Sequence, residues 1–392
     1  MAKRKKKNKS SVKDVIEPHS QAKLDFYKYY LNRYLPILYL SDFITRINIF
    51  DIFCGTGVYK DGKFGSPIIA YNEIINVKNQ YKDKTSKVIS LTVNDGKSEK
   101  IENVKSYFNS IETNTDFISY NNLDSDTMFA EIIGKIEKQN RDEKNLIFID
   151  PYGYKDIKKQ NIIDLLKKQN TEIILFLPIS HMYRFTDIAI QSDEPAYAKL
   201  RIFVEEFFES NHPYFSIESG KDVFKYIYFI KNALTFNNKY FSASYYIQRN
   251  NANYFALFFI TPNIYGLEKI LKVKWSLDEK FGQGFKQKDP LGDLFEEEYK
   301  KESLRELIGC FEEKLISWLK SGSFTNSDVY RFTLGNEFLP KHTNQILKKM
   351  QESQILEVES VRNIEKVRKN SFYVNKESLN KDSKLVKFIL KS

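Results

Sequence analysis

The chain has 392 residues, of which 42% are hydrophobic and 15% aromatic, and its formal net charge is +10 at pH 7. This length allows two or three domains with buried cores, and the composition excludes an intrinsically disordered protein. No apolar run is long enough to span a membrane, and the basic amino terminus lacks the apolar segment of a secretory signal. Two cysteines, Cys54 and Cys310, and four scattered histidines indicate no disulfide scaffold and no metal site, so we expect a cytoplasmic protein.

The positive charge is concentrated at the two ends of the chain. Residues 1–9 contain six lysines and arginines and no acid, and residues 303–392 have a net charge of +5, which leaves −1 for residues 10–302. We therefore expect attraction to phosphate backbones at the ends and not in the middle. For the basic tail, residues 1–15, a disordered solubility segment and a nucleic-acid-binding arm are equally open.

One stretch near residue 50 organises the rest of the chain. The apolar run 47–50 ends in Asp51, and Gly55 and Gly57 follow in the pattern Asp-x-Phe-x-Gly-x-Gly. This pattern predicts a buried strand and a tight turn whose glycines permit positive φ and the close approach of a ligand. S-adenosylmethionine (SAM) suits the Asp51 carboxylate because its sulfonium and ammonium groups are both positive, whereas Lys60 replaces the third glycine of a dinucleotide fingerprint. A tight turn without a ligand is the alternative.

The other predicted elements alternate between helix and strand. The leading helix covers residues 21–40, and Pro36 is expected to end or kink it. Further elements are predicted as helix 67–75, strand 88–93, helix 97–109, strand 116–120, helix 128–136, strand 146–149, helix 160–168 and strand 172–177. This alternation implies a parallel sheet with right-handed crossovers.

Residues 188–235 interrupt the alternation as an aromatic-rich, mostly helical insertion. The segments 240–248 and 254–261 then predict an antiparallel hairpin that closes the sheet. An antiparallel last strand favours the class I methyltransferase variant of the doubly wound α/β fold, and we assign residues 16–275 to this domain.

Further candidate residues lie where the predicted strands end. In a class I methyltransferase an acid after the second strand holds the ribose, and here Asn94 is followed by Asp95, which places the acid one residue later. Asn122 or Asp124, after the third strand, is expected to recognise the adenine amine. The predicted cofactor-binding residues are Asp51, Phe53, Gly55, Gly57, Asn94, Asp95, Asn122 and Asp124.

The loop after the fourth strand lies beside the expected methyl group. Amino-methylating enzymes carry Asp/Asn-Pro-Pro-aromatic there, in which the polar side chain and the first proline carbonyl accept hydrogen bonds from the amine and the aromatic ring stacks on the base. This chain has Asp-Pro-Tyr-Gly-Tyr, with a single proline, so a simple turn after a buried strand is the alternative. The predicted catalytic residues are Asp150, Pro151, Tyr152 and Tyr154.

Two of these segments together resemble the three-Cys-motif partner (TcmP) family. They are 50–59, with Gly65-Ser66-Pro67 after it, and 148–154. His19, Lys23 and the segment 254–259 are weaker matches, and the resemblance covers roughly residues 15–290.

The resemblance to TcmP implies a class I methyltransferase fold and, as a partner, a three-cysteine radical-SAM-like protein, and it leaves the substrate open. The chain departs from the family at Cys54, where Ala is usual, and at Asn94, where an acid is expected. The second departure bears on ribose binding.

Residues 303–392 predict a separate unit, joined by a linker over 276–302. Its predicted elements are helix 304–319, helix 323–332, helix 340–350, and two strands, 355–361 and 372–374, joined by the basic loop 362–370. Three helices followed by a basic hairpin is the order of a winged helix. The predicted nucleic-acid contacts are Lys348, Lys349, Lys366, Arg368 and Lys369. A winged helix that binds another protein is the alternative.

The sequence therefore predicts a SAM-dependent methyltransferase-like protein that acts on, or is bound to, DNA or RNA. The alternative is a non-catalytic partner protein that retains a methyltransferase fold and a protein- or DNA-binding winged helix.

Overall fold

A computed structural model describes residues 15–111, 114–191, 194–216, 222–250, 253–278, 282–286, 296–361, 367–380 and 385–391, without the side chains of 250 and 296–306. The predicted basic tail, apart from Val15, lies outside these residues, and so do Lys366 and much of the predicted linker. Within the described residues, no helix combines the length and apolar character needed to cross a bilayer.

The central feature is an eight-stranded sheet with the order β3-β2-β1-β4-β5-β7-β6-β8. The strands are β1 (Arg46–Asp51), β2 (Val88–Asn94), β3 (Ile118–Asn121), β4 (Glu143–Ile149), β5 (Thr171–Leu177), β6 (Phe241–Asn250), β7 (Asn253–Thr261) and β8 (Gly284–Lys286). Strands β1 to β5 are parallel, and β7 runs antiparallel to both β5 and β6. This mostly parallel sheet is consistent with a methyltransferase-like α/β fold, and the predicted antiparallel hairpin is confirmed as β6 and β7.

The central strands are apolar because both of their faces are covered. They are aligned by a polar ladder that consists of Asn48, Ser90 and Asn145 on β1, β2 and β4, in which both amides are buried and Ser90 is half-buried. Asn48 is paired in register with Ser90 on one side and with Asn145 on the other. The Ser90 hydroxyl donates to Asn48 Oδ1 at 2.8 Å, and Asn48 Nδ2 donates to Asn145 Oδ1 at 3.1 Å. Buried amides need these partners, so the ladder favours one register.

Helices cover both faces of the sheet. They are α1 (Pro18–Tyr39), α2 (Ser66–Gln80), α3 (Ser98–Ser110), α4 (Ser125–Glu137), α5 (Lys159–Leu166), α6 (Ile179–Gln191), α7 (Ala198–Phe207), α8 (Val223–Ala233) and α9 (Ile264–Leu277). The helices α1, α2, α3 and α9 contribute to one core, and α4 to α8 contribute to the other. The helical insertion begins earlier than predicted, with α6 directly after β5.

The first helix continues past the proline that was expected to end or kink it. Pro36 lies in the last turn of α1, where its missing N–H removes a single helical hydrogen bond, and the Leu40 N–H donates to the Pro36 carbonyl at 3.1 Å. The buried face of α1 packs on the sheet, with Tyr27 stacked on Phe148 at a ring distance of 4.3 Å. The helix therefore crosses the sheet close to the end of β4.

In the described part of the carboxyl-terminal region, three α-helices and three strands form a small unit. They are α10 (Glu296–Lys320), β9 (Phe324–Thr325), α11 (Asn326–Gly335), α12 (Pro340–Glu352), β10 (Leu356–Ser360) and β11 (Val386–Leu390), with strand order β10-β11-β9. The prediction of a strand at 372–374 is wrong, because β10 pairs with β11. Phe372 and Val374 are buried, as their alternation suggests, but Tyr373 has a φ of 51°, which an extended strand does not accept.

This unit packs directly on the sheet domain through the turn between α11 and α12. Glu337 in that turn forms ion pairs with Lys231 of α8, at 2.8 Å, and with Lys274 of α9. The indole N–H of Trp275 donates to the Glu337 carbonyl at 3.1 Å, and Trp275 also contacts Phe338. Both parts of the chain contribute to one continuous apolar core.

Candidate functional site

Three aspartates lie together at one edge of the sheet. Asp51 is the last residue of β1, Asp95 follows β2, and Asp150 follows β4. Because β1 lies between β2 and β4 and all three strands are parallel, their carboxyl ends bring these side chains to one place. All three were predicted as site residues from the sequence.

The glycine turn follows β1, as predicted, with a φ of +67° at Gly55 and +76° at Gly57. A Cβ built on Gly57 would lie 2.9 Å from Val104 Cγ2, so this glycine makes room for the protein's own core. A Cβ on Gly55 would have no described atom within 4 Å. Open space for a ligand is therefore found at Gly55. Cys54 between β1 and Gly55 is buried, and burial together with the charges of Asp51 and Asp95 raises the pKa of its thiol.

The Asp51 carboxylate is the most unusual group of the site. It is 0% exposed, and neither of its oxygens has a well-formed hydrogen bond within the described residues, although the Ser66 hydroxyl lies close enough to interact with the carboxylate. Burial raises its pKa from 3.8 to about 7; the carboxylates of Asp150 and Asp95 add to this, while the nearby Ser66 hydroxyl and Lys23 oppose it. A buried polar group without a partner is rare and indicates a place for a ligand.

Tyr27 lies close to Asp51 and also contributes a buried polar group. Its hydroxyl is buried and has no hydrogen-bond partner in the described part of the chain. Burial and the Asp51 charge raise the pKa of this hydroxyl well above its ordinary value, which keeps it protonated. Asp51 and Tyr27 thus leave an acceptor and a donor unused in the same buried region.

Asp95 connects three elements of the site. Its carboxylate accepts hydrogen bonds from the Gly55 N–H at 3.2 Å and from the Tyr152 hydroxyl at 2.8 Å. The ammonium group of Lys100, on α3, lies 3.3 Å from the same carboxylate and also contacts Tyr152. Asp95 therefore links the glycine turn, α3 and the loop after β4.

Asp150 forms an ion pair with Lys23 of α1. Both side chains are largely buried, and the Lys23 ammonium also lies 4.7 Å from the centre of the Phe176 ring at the end of β5. Phe176 stacks on Phe255, which in turn stacks on His19 at 5.0 Å. His19 and Lys23, the weaker matches of the sequence, both lie at this edge of the sheet.

The two tyrosines of the Asp-Pro-Tyr-Gly-Tyr loop have different environments. Tyr152 is 63% exposed, and its ring lies edge-on to Phe53 at 6.1 Å with the Lys100 ammonium 4.2 Å from its centre. Tyr154 is buried against Phe203, and its hydroxyl donates to the carbonyl of Pro178. Only Tyr152 presents a ring to solvent. Pro151 between Asp150 and Tyr152 is buried.

The remaining predicted cofactor residues shape loops. The Asn94 amide donates to the carbonyls of Ile52 and Leu123, each at 3.1 Å, and its oxygen accepts from the Leu123 N–H. Asn122 donates to the Asp95 carbonyl at 2.8 Å. Asp124 is the N-cap of α4, and hydrogen bonds from Thr127 lower the pKa of its carboxyl. These contacts leave Asp95 as the acid at the end of β2.

Lys100 and Tyr27 were not predicted as site residues, although the sequence contains partial signals for both. Lys100 lies in the first turn of the helix after Asp95, the turn that faces the carboxyl edge of the sheet. Tyr27 is four residues after Lys23, so the two share a face of α1. Nothing in the sequence shows which part of the sheet that face covers.

Four of the five predicted nucleic-acid contacts are described, and all four are exposed: Lys348, Lys349, Arg368 and Lys369. The first two lie near the end of α12. The Asn370 N–H donates to Gln351 Oε1 at 2.8 Å, which brings the segment with Arg368 and Lys369 beside that helix end. These four cations, called the basic edge below, thus lie in one region.

No protein-family model matches the chain, and no curated protein matches it. The resemblance to TcmP therefore stays a prediction.

Several solved structures show a remote likeness. An O-methyltransferase from Bacillus cereus in complex with SAH is 12% identical, with 63% of this chain and 83% of that chain covered and a TM-score of 0.32. The O-methyltransferase TomG from Streptomyces achromogenes, in complex with SAM, is 11% identical, with 62% and 87% covered and a TM-score of 0.30. A protein from Corynebacterium glutamicum is 14% identical, with 60% and 80% covered and a TM-score of 0.30. These TM-scores are low, and it is the strand order of the mostly parallel sheet that indicates the α/β fold.

Proposed function

We propose that this protein binds SAM at the carboxyl edge of β1, β2 and β4 and transfers its methyl group to an acceptor. The observation that supports this best is the buried Asp51 carboxylate, which has no cation of its own among the described residues because Lys23 is paired with Asp150. A cationic ligand compensates such a group, which is otherwise costly to bury. SAM, when bound, supplies a sulfonium cation and the methyl group to be transferred.

The residues present fit this cofactor. Asp51 would hold the cationic end, Asp95 would accept hydrogen bonds from ribose hydroxyls, and the open space at Gly55 would allow backbone contact. The Tyr152 hydroxyl now bonded to Asp95 takes the place that a ribose hydroxyl would need. Tyr152 must therefore leave Asp95 when the cofactor binds, which frees its ring.

The acceptor is held by the loop after β4. Asp150 accepts a hydrogen bond from the N–H or O–H group that is methylated, and Lys23 holds the Asp150 carboxylate in position. The freed Tyr152 ring stacks on a planar acceptor, while Tyr154 anchors the loop through Pro178. Positioning of this kind is the main contribution that an enzyme makes to methyl transfer.

We propose further that the acceptor belongs to a nucleic acid, DNA or RNA. The order of elements from α10 to β11, namely helix, strand, helix, helix and two strands, supports a winged helix with α12 as its third helix. The basic edge lies beside α12 and offers cations to phosphate groups.

Calorimetric titration with SAM tests the cofactor site. Gly57→Val, the obvious variant from the sequence, is unsuitable because its side chain would collide with Val104. Gly55→Ala is better, since its methyl group enters the space proposed for the ligand. Gly62→Ala is the matched control: Gly62 also has positive φ, at +79°, and no described atom within 4 Å of an added Cβ. Both variants carry the same backbone strain, on the order of 1 kcal/mol.

We expect Gly55→Ala to weaken SAM binding at least about tenfold, or 1.4 kcal/mol, and Gly62→Ala to leave it unchanged. Equal effects in the two variants would move the site away from Gly55. A wild-type protein that binds no SAM would contradict the proposal itself.

The second candidate function is a non-catalytic partner protein. It is favoured by the observation that Asp150 and Asp95 already have cationic partners within the chain, Lys23 and Lys100. This function predicts no SAM binding, so the same titration separates the two.

A further inference from the structure

The groups that face Asp51 come from five elements, one of which is α2 with the Ser66 hydroxyl. Asp95 follows β2, Asp150 follows β4, Lys23 and Tyr27 belong to α1, and Cys54 belongs to the glycine turn; each interacts electrostatically with Asp51. Asp150 is already paired with Lys23. Lys23, the cation that acts on Asp51, is thus shared, and Asp51 has none of its own among the described residues.

A simple count of charges follows from this arrangement. The site contains three carboxylates, of Asp51, Asp95 and Asp150, and two ammonium groups, of Lys23 and Lys100. Its net charge is −1 when Asp51 is ionised and zero when Asp51 is protonated. In a buried region the neutral state is favoured, because burial and like charges both disfavour an ionised carboxyl. The proton on Asp51 therefore neutralises the negative charge that a bound cation would otherwise neutralise.

SAM and its demethylated product differ by one charge at this position. SAM has a sulfonium, an ammonium and a carboxylate, so its net charge is +1. After methyl transfer the sulfur is a neutral thioether, and the product has a net charge of zero. A site of charge −1 matches the cofactor, and a site of charge zero matches the product.

We propose, on the basis of the function proposed above, that Asp51 is the residue by which the site distinguishes SAM from its product. Asp51 gives up a proton to the solvent when SAM binds and takes one up from the solvent when the neutral product replaces SAM. The positive charge of SAM thus replaces the proton of Asp51. When that charge is lost with the methyl group, the proton returns to Asp51. Discrimination against the product follows from charge, without any contact to the methyl group.

Proton release can be measured directly by titration calorimetry of the full-length protein. The observed heat at pH 6.5 is compared in two buffers with different ionisation enthalpies, once with SAM and once with SAH. Because the pKa of Asp51 is about 7, we expect about three-quarters of a proton released per SAM and close to none per SAH. Asp51→Asn should abolish the release and reduce the preference for SAM over SAH about tenfold or more.

The matched control is Asp126→Asn, which removes an exposed carboxylate of α4 whose partner is Lys158. It should leave both proton release and the preference for SAM unchanged. A second measurement needs no variant. Between pH 5.5 and 7.0, where the ammonium group of the ligand stays protonated, SAM affinity should rise about tenfold while SAH affinity stays flat.

The outcomes separate the two proposals. Equal proton release with SAM and SAH, or full release in a folded Asp51→Asn protein, would overturn the role of Asp51 and leave SAM binding intact. A wild-type protein that binds neither ligand would overturn the proposed function as well.

Discussion

The contact between the carboxyl-terminal unit and the sheet domain depends strongly on one carboxylate, and Glu337→Gln removes its charge. Burial alone would raise the pKa of Glu337, but the charges of Lys274 and Lys231 and hydrogen bonds from both outweigh it and lower the pKa from 4.5 to about 2. At about 1.36 kcal/mol per pKa unit, this shift corresponds to about 3 kcal/mol of stability. The net value is smaller, because burial lowers the pKa of Lys274 despite its partner.

Loss of the charge also leaves two lysines without their anion, and breaking a buried pair from one side costs about 3–5 kcal/mol. We therefore expect Glu337→Gln to lower the free energy of unfolding at pH 7 by about 3 kcal/mol. Urea unfolding followed by tryptophan fluorescence suits this measurement. The two tryptophans of the chain are Trp275, which is bonded to Glu337, and Trp318, which stacks on Phe332 in the same unit.

The direction of the pKa shift determines how the stabilisation by Glu337 depends on pH. The pKa of Glu337 is lower in the folded state, so its stabilisation is complete above about pH 4.5 and is lost as the pH falls towards 2. The difference between wild type and variant should shrink over the same range. Glu357→Gln, which removes an exposed pair with Lys391, is the control and should cost less than about 1 kcal/mol. If both variants lose equally little, the buried contact does not stabilise the unit.

Three further predictions concern the site and the basic edge. In a folded Asp150→Ala protein saturated with SAM, the rate of methyl transfer in single-turnover assays should fall on the order of 10²–10⁴-fold; wild-type turnover would remove this loop from the mechanism. Asp51→Asn should stabilise the ligand-free protein at pH 8 by up to about 4 kcal/mol. The pKa of Asp51 is raised to about 7 in the folded state, so the wild-type protein loses stability as the pH rises from 3.8 through 7. Urea unfolding at pH 5 and 8 tests this, and a destabilised variant at pH 8 would refute it. Replacing the four cations of the basic edge by alanine should weaken nucleic-acid binding and flatten its salt dependence, by about 0.9 in slope for each lost phosphate contact on B-DNA. Replacing the exposed Lys135 of α4 and Lys138, the C-cap of that helix, should not; unchanged slopes would favour a protein-binding role.

The sequence predicts that the three aspartates lie at one edge of the sheet because each of them follows a strand. Asp51, Asp95 and Asp150 each follow an apolar run, and parallel strands place such residues side by side whatever the side chains around them do. The closing hairpin of β6 and β7 is equally clear, since two alternating segments flank a short polar loop.

The partners of these aspartates were much harder to predict. Lys23 and Tyr27 reach the site because α1 packs across β4, and the docking of a helix depends on packing that a single sequence does not reveal. The bond between Asp95 and Tyr152 depends on side-chain conformations in two separate loops. The strand β11 was missed for a related reason: Phe372 and Val374 alternate as strand residues do, and burial without strand pairing produces the same alternation.

The polar ladder of Asn48, Ser90 and Asn145 has a consequence at the opposite end of its strands. Asp51 is three residues along β1 from Asn48, about 10 Å away at 3.3 Å per residue. If β1 slipped by two residues, its apolar residues would still face the same cores, yet Asp51 would move about 6.6 Å relative to Asp95 and Asp150. Apolar packing alone tolerates such an error, but the ladder does not, because the buried Asn48 amide would lose both of its partners, Ser90 and Asn145. The ladder thus sets the spacing of the three carboxylates from a distance, and a substitution such as Asn48→Val would disturb the site without touching it.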